Sequence, residues 1–133
     1  MNWAKFYDGL RENIEARHTK LREKIKEPNP EGMADLCGED IIFFSAKGKM
    51  IRKREDHLAF WRQVVGPGSN LTLKTVNVLI SAVKASHVIP NETCDHIAFE
   101  IGEYSISRNP NSSSGTYISF SRHIDGCDWD HRR

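Results

Sequence analysis

The chain has 133 residues, with 19 lysines and arginines against 18 aspartates and glutamates, a size at which we expect a single domain over residues 1–133. Because the basic residues are dispersed among acidic ones, the composition argues against a nucleic-acid-binding surface. The apolar runs are far shorter than the roughly twenty residues that a membrane-spanning helix needs, so we expect no membrane partner.

The first predicted element is a long helix. Its apolar residues recur at spacings of three, four and seven, which places them on one stripe. They are Trp3, Tyr7, Leu10, Ile14, Leu21 and Ile25. One polar turn, at Arg17 and His18, interrupts the stripe, and Pro28 ends the run. A helix with one apolar stripe must lie on a sheet or in a groove.

Shorter elements follow. Residues Pro28–Asp40 predict a loop and a short helical turn. Ile41–Phe44 is a β-branched and aromatic run that predicts a strand, and Met50–Ile51 supply a short returning strand. Lys53–Val65 predicts another helix, which Gly66-Pro67-Gly68 ends.

From Leu71 the hydrophobic period changes to two, which predicts a long strand. Leu71 and Leu73 share one phase, whereas Val76, Val78 and Ile80 share the other. A slip of this kind inside a strand is what a β-bulge produces, and a bulge bends the strand.

Two further long strands are predicted, over His96–Ser107 and Thr116–His123. Asn109-Pro110 and the serine run after it predict a loop between them, and Asp125-Gly126 predicts a hairpin turn. This layout is α+β: a strongly bent antiparallel sheet forms a cone around the long N-terminal helix and two shorter helices.

Three motifs carry a family resemblance. Asp40 is an acidic residue that opens the first strand, and Ala98–Tyr104 has the spacing A-x-E-x-G-x-Y. The third is the G-x-Y of Gly115–Tyr117, followed by the aromatic Phe120, the turn Asp125-Gly126 and Trp129. In this order they resemble the nuclear-transport-factor-2-like superfamily, in particular its small SnoaL-like and ketosteroid-isomerase-like members. The resemblance implies a cystatin-like cone, a homodimer through the outer sheet face and a pocket for a small apolar ligand.

The isomerase chemistry of such relatives needs a carboxylate near the end of the first strand and an acidic donor to the developing oxyanion. A simple match places Ser45 and Phe120 in those two neighbourhoods. A serine hydroxyl is not a base near neutral pH, and a phenyl ring has no proton to donate. The match therefore argues against direct transfer of the isomerase activity and leaves catalysis an open question.

Glu100 is the strongest interior polar candidate, because it shares one face of its strand with Tyr104. The resemblance implies that this face looks into the cone, where burial among aromatic rings would raise the pKa of the carboxyl group. The alternative is an outward Glu100, with Ile97, Phe99 and Ile101 in the core.

If the protein is an enzyme, Glu100 or His57 would be the base and Tyr104 the hydrogen-bond donor. For His57 the alternative is a partly exposed helix residue. The resemblance further implies a set of residues that line the ligand pocket. For one of them, Trp61, the alternative is that the ring only packs in the core. This set comprises Phe43, Ser45, Trp61, Gly102 and Phe120.

Three functions fit these observations. The first is a homodimeric domain that binds a small apolar ligand. The second is a lyase or isomerase that acts by proton transfer. The third is an assembly or adaptor module, which predicts a wide apolar sheet face and a cone too shallow for a substrate.

The N-terminal residues MNWAKFYDGLREN include charges where a secretory signal has its apolar centre. Cys37, Cys94 and Cys127 form no C-x-x-C pair, which favours free thiols in a reducing compartment. We therefore expect a cytoplasmic protein. We expect no cofactor and no metal, because a zinc site needs several converging ligands, and the ligand types of Cys127–His131 lie at the end of the sequence.

Overall fold

A computed structural model describes residues 3–81, 94–108 and 110–124. Within these residues, helices and short strands come first and three long strands follow. The elements are α1 Trp3–Lys24, α2 Pro30–Cys37, β1 Ile41–Ser45, β2 Met50–Ile51, α3 Arg54–Arg62, β3 Asn70–Ile80, β4 Cys94–Arg108 and β5 Asn111–Ile124.

The strands form one antiparallel sheet in the order β2-β1-β5-β4-β3. The sheet curls around α1, which contacts β3 and β5, while α2 and α3 pack together beside β1 and β2. We call the sheet face that meets the helices the inner face and its reverse the outer face. This architecture confirms the predicted α+β cone.

The predicted bulge lies in β3. The pairing of β3 with β4 runs from Asn70 to Thr75 and resumes at Asn77, which leaves Val76 as the extra residue. Before the bulge Leu71 and Leu73 are buried, and beyond it Val78 packs on the core from the other phase. The phase slip in the sequence was therefore a correct signal for the bulge.

The buried stripe that runs along α1 to Ile25 differs from the prediction at its N-terminal end and at the predicted polar turn. Trp3 and Tyr7 are about half exposed, at 52% and 49%, whereas Phe6 is buried. His18, which the sequence analysis treated as a polar interruption, is also buried. Counting from Phe6, the spacing of three or four continues without a gap once His18 is included. The stripe is Phe6, Leu10, Ile14, His18, Leu21 and Ile25.

The serine run is part of a strand, contrary to the prediction of a loop. Ser112 and Ser114 pair with Ser107 and Ser105, so β5 begins immediately after the turn at Pro110. Serine has little strand propensity of its own, and here the extension of β4 supplies the pairing partner. The predicted turn at Asp125-Gly126 lies outside the described residues, as do Trp129 and the Cys127–His131 segment.

The inner face divides into two apolar clusters with polar residues between them. The larger cluster includes Leu21 of α1, Trp61 of α3 and Tyr104 of β4. The smaller joins Phe6, Leu10 and Ile14 of α1 to Ala98 of β4. Among the described residues, no helix is long and apolar enough to cross a membrane.

Candidate functional site

Glu100 is the centre of a buried polar cluster between the two apolar clusters. It is 2% exposed, and its Oε2 accepts from His18 Nε2 at 2.8 Å, from the Tyr117 hydroxyl at 2.5 Å and from the Thr75 hydroxyl at 2.7 Å. Its Oε1 accepts from the Ser119 hydroxyl at 3.2 Å. We call these five residues the Glu100 network. It joins α1, β3, β4 and β5, so it ties the long helix to the sheet.

Two further side chains of α1 reach β5 beside this network. Arg17 Nη1 donates to Ser119 Oγ and to the carbonyl oxygen of Phe120, both at 2.9 Å. Asn13 Nδ2 donates to Ser121 Oγ at 3.0 Å. The Arg17 cation is therefore linked through the Ser119 hydroxyl to the buried carboxylate, which offsets part of the cost of burying that charge.

Glu100 faces inward, as the resemblance implied, but the expected rise in its pKa is wrong. Burial by itself raises the pKa, yet hydrogen bonds from His18, Tyr117 and Thr75 together with the charge of His18 outweigh it and lower the pKa. Conversely, burial and the adjacent carboxylate raise the pKa of Tyr117. The cluster therefore holds an ionised carboxylate and a protonated phenol.

The two Gly-x-Tyr segments, Gly102–Tyr104 and Gly115–Tyr117, form a reciprocal pair across β4 and β5. Gly102 is the cross-strand partner of Tyr117, and Tyr104 is the partner of Gly115. A Cβ at Gly102 would collide with the Tyr117 ring, and a Cβ at Gly115 would lie 2.9 Å from Tyr104 Cε1. Each tyrosine therefore covers the glycine of the other strand, which only a residue without a side chain allows.

This pairing aims the two hydroxyls. Residues two apart on a strand share a face, so Tyr117 reaches across Gly102 to Glu100, two residues earlier on β4. Tyr104 reaches across Gly115 toward Ser113 in the same way. The Tyr104 hydroxyl is buried and has no hydrogen-bond partner among the described residues. Ser113 lies close enough to lower its pKa slightly, but burial dominates and raises it.

His57 is buried and uses both ring nitrogens. Its Nδ1 accepts from Trp61 Nε1 at 3.1 Å, so its Nε2 carries the proton and donates to the Ile41 carbonyl oxygen at 3.1 Å. Burial lowers the pKa of His57, although that carbonyl and Asp56 oppose the shift. The alternative of a partly exposed helix residue is therefore wrong. With both nitrogens engaged, the imidazole attaches α3 to β1 and has no free lone pair for a base.

The five predicted ligand-lining residues do not line one cavity within the described part of the chain. Phe43 and Trp61 are fully buried and pack edge to face at 5.3 Å between ring centroids, and Gly102 lies beneath Tyr117. Ser45 Oγ accepts from Lys49 N at the turn after β1. Phe120 was placed wrongly: it is on the outer face, because the buried inner positions of β5 are its odd-numbered neighbours.

Sequence reasoning missed His18, Thr75 and Tyr117 as members of the polar cluster. His18 could have been found by its position, because it lies four residues after Ile14 and three before Leu21 on the apolar stripe. Within the described residues, no group of three His, Cys, Asp or Glu side chains is arranged to hold a metal ion.

The outer face carries adjacent apolar rows. Leu79, Phe99 and Phe120 are successive cross-strand partners, and the rings of Phe99 and Phe120 meet edge to face at 5.3 Å. The next row contains Ile101, Ile118 and Ile42. Leu79 is 50% exposed, so this surface is apolar and open to solvent at its β3 side.

The sequence matches no protein-family model and no curated protein. Its backbone resembles a crystal structure from Nostoc punctiforme, described as a domain of unknown function with a cystatin-like fold. The TM-score is 0.50 at 17% identity, over 90% of this chain and 70% of that one. The fold is cystatin-like. At this identity the likeness shows the fold alone, so function has to be argued from the residues.

Proposed function

We propose that this cystatin-like domain is a SnoaL-like member of the nuclear-transport-factor-2-like superfamily that acts by binding and assembly, as a homodimer through its outer sheet face. The ordered motifs of the sequence support the family, since the Gly-x-Tyr segments prove to be paired parts of one sheet. The cystatin-like fold is consistent with it. The location we propose is the cytoplasm, where a buried free thiol such as Cys37 stays reduced.

The observation that carries the proposal is the pair of apolar rows on the outer face. A contiguous apolar surface on a sheet is typical of an interaction site. A second copy presents the same rows, so two copies can meet about a two-fold axis with like surfaces in contact. Polar residues, such as Lys74 paired with Glu103, border the rows at one end of the sheet, and a polar rim around an apolar centre is the usual anatomy of an interface.

Binding is favoured over proton-transfer catalysis by the state of the predicted bases. Glu100 accepts four hydrogen bonds and its pKa is lowered, which makes the carboxylate a weak base. His57 has no free nitrogen. A general base must reach the substrate proton with a lone pair available. His57 offers none, and the Glu100 carboxylate is buried beneath its four donors.

The test is the oligomeric state of two matched variants, measured by sedimentation equilibrium. Leu79 and Tyr7 are equally exposed, at 50% and 49%, but Leu79 is on the outer face and Tyr7 is on α1. We expect a wild-type dimer, at least about tenfold weaker association for Leu79→Lys because a charge would be desolvated, and no change for Tyr7→Lys. A monomeric wild type, or equal effects of both variants, would contradict the proposal.

A further inference from the structure

A groove of about 370 Å³ lies between the end of α3 and the hairpin that joins β4 to β5. Its size is within the range of small-molecule sites. Its lining combines apolar and polar side chains, and none of the lining residues is acidic. The apolar ones are Phe60, Val64 and Ile106, and the polar ones include Arg108, Ser112 and Ser113.

The segment that follows α3 holds Arg108 at this groove. Its Nη1 donates to the Val65 carbonyl oxygen at 2.9 Å, and a Cβ at Gly66 would lie 3.3 Å from its Nη2. Gly66 has φ 141°, a conformation that favours glycine. The guanidinium has five N–H donors, so this hydrogen bond orients the group while its other donors can meet an anion.

Because of the reciprocal Gly-x-Tyr pairing, Ser113 has the same position in β5 that Glu100 has in β4. Each lies two residues before its glycine, in Glu100–Tyr104 and Ser113–Tyr117, and each is the residue toward which the opposite tyrosine hydroxyl is aimed. Tyr117 finds a carboxylate at 2.5 Å. Tyr104 finds only the short side chain of Ser113 and, among the described residues, has no hydrogen-bond partner.

We propose that the groove binds a small molecule with a carboxylate and an apolar body. Arg108 pairs with the carboxylate, and the Ser113 hydroxyl donates to it. When Ser113 turns its proton to the ligand, its oxygen accepts from the Tyr104 hydroxyl, so Tyr104 is a positioning residue that acts through Ser113. The apolar body lies on Phe60 and Ile106. This ligand site goes beyond the proposed dimer, whose interface is the outer face.

The electrostatics of the groove agree with a carboxylate ligand. Burial raises the pKa of Tyr104, so the phenol remains a donor at neutral pH. A charged carboxylate accepts stronger hydrogen bonds than a neutral oxygen does. Since no acidic residue lines the groove, a bound anion meets no like charge there. The chain thus supplies cation, hydroxyl donor and apolar surface in one place.

The test uses 2-naphthoate and the uncharged 2-naphthalenemethanol as probes, with amide NMR spectra of the full chain. We expect 2-naphthoate to cause saturable shifts at residues 60–64, 106 and 112–113, with a dissociation constant of about 1 mM or tighter. It should bind about tenfold more tightly than the alcohol. Arg108→Gln should abolish that preference. The control is Arg62→Gln, at an exposed position of α3 beside Glu31. This variant should retain the preference.

Tyr104→Phe separates a positioning role from a structural one. It removes only a hydroxyl that has no partner among the residues that the structure describes, so the melting temperature should stay the same or rise. The affinity for 2-naphthoate should fall about fivefold, and that for the alcohol should not change. The proposal is overturned if 2-naphthoate does not saturate these shifts, if it has no preference over the alcohol, or if Arg108→Gln or Tyr104→Phe leaves its affinity unchanged.

Discussion

Tyr117 in β5 and Tyr104 in β4 occupy equivalent places, since each covers the glycine of the opposite strand. Their surroundings differ. Tyr117 donates to Glu100 beneath α1, whereas Tyr104 lies against Phe43 and Phe60. The Gly-x-Tyr spacing therefore determines where a tyrosine ring lies. The residue two positions before the glycine, together with the helix above it, determines whether the hydroxyl has a partner.

The largest effect should come from removing the Glu100 carboxylate, which accepts from the Tyr117 hydroxyl and has no counterpart at Ser113, the residue toward which Tyr104 reaches. Glu100→Ala leaves the buried donors His18 and Tyr117, and also Thr75, without their acceptor, and it should lower the free energy of unfolding by about 3–5 kcal/mol. Urea denaturation measures this change. Glu103→Ala, at an exposed position on the same strand, should change it by less than about 0.5 kcal/mol. Equal losses would show that the network does not stabilise the fold.

The next largest effect should be the loss of stability when either glycine is replaced by alanine, and the two losses should differ. A Cβ at Gly115 would collide with the Phe44 carbonyl oxygen, which belongs to the paired β1, whereas a Cβ at Gly102 meets the Tyr117 side chain. A side chain can move more easily than a paired backbone. We expect Gly115→Ala to cost about 3 kcal/mol and Gly102→Ala about 1–2 kcal/mol. Thermal unfolding gives the order, and the reverse order would contradict this account of the two contacts.

A smaller effect should separate the two hydroxyls themselves. Tyr117→Phe removes a hydrogen bond to a charged carboxylate and should cost about 2 kcal/mol. Tyr104→Phe removes a hydroxyl without a described partner and should change the unfolding free energy by less than about 0.5 kcal/mol or raise it slightly. Each variant is the control for the other in chemical denaturation. A comparable loss in both would show that Tyr104 has an acceptor after all.

The smallest expected effect is a pH dependence. The pKa of Glu100 is lowered below its ordinary 4.5 in the folded protein, so its stabilisation is fully present above that value. It is lost as the pH falls through the folded pKa. The difference in unfolding free energy between wild type and Glu100→Gln should therefore shrink on acidification below about pH 4.5. A difference that stays constant to strongly acidic pH would contradict the lowered pKa.

Local pattern was enough to predict the fold class, the three long strands apart from the serine run that begins β5, and a bulge within β3, because these depend on periods of two and three to four residues. It was not enough for the Glu100 network. His18 and Glu100 are 82 residues apart, and Tyr117 and His18 are 99 apart. Only the packing of α1 across the sheet brings them together. The place of His18 on the apolar stripe indicates that it is buried, but not which strand residues it meets.

Phe120 shows how a small error has a large result. The resemblance that placed Phe120 fixes its position on β5 only to within a residue or so, and a shift of one residue moves a side chain to the opposite face of a sheet. The inner positions are Ser119 and Ser121, both buried and hydrogen-bonded to other residues. The burial of His57 was missed for a different reason. One of its hydrogen-bond partners is in the next turn of its own helix, but the other is in β1, and only the packing of α3 against β1 brings that partner close.

The bulge at Val76 has a consequence for how copies of the chain can associate. β3 is an edge of the described sheet, and its free backbone groups would otherwise offer an even template for a strand of another molecule. The extra residue breaks that even spacing and twists the edge. Growth by adding strand to strand, which has no natural end and leads to fibrils, is thereby discouraged.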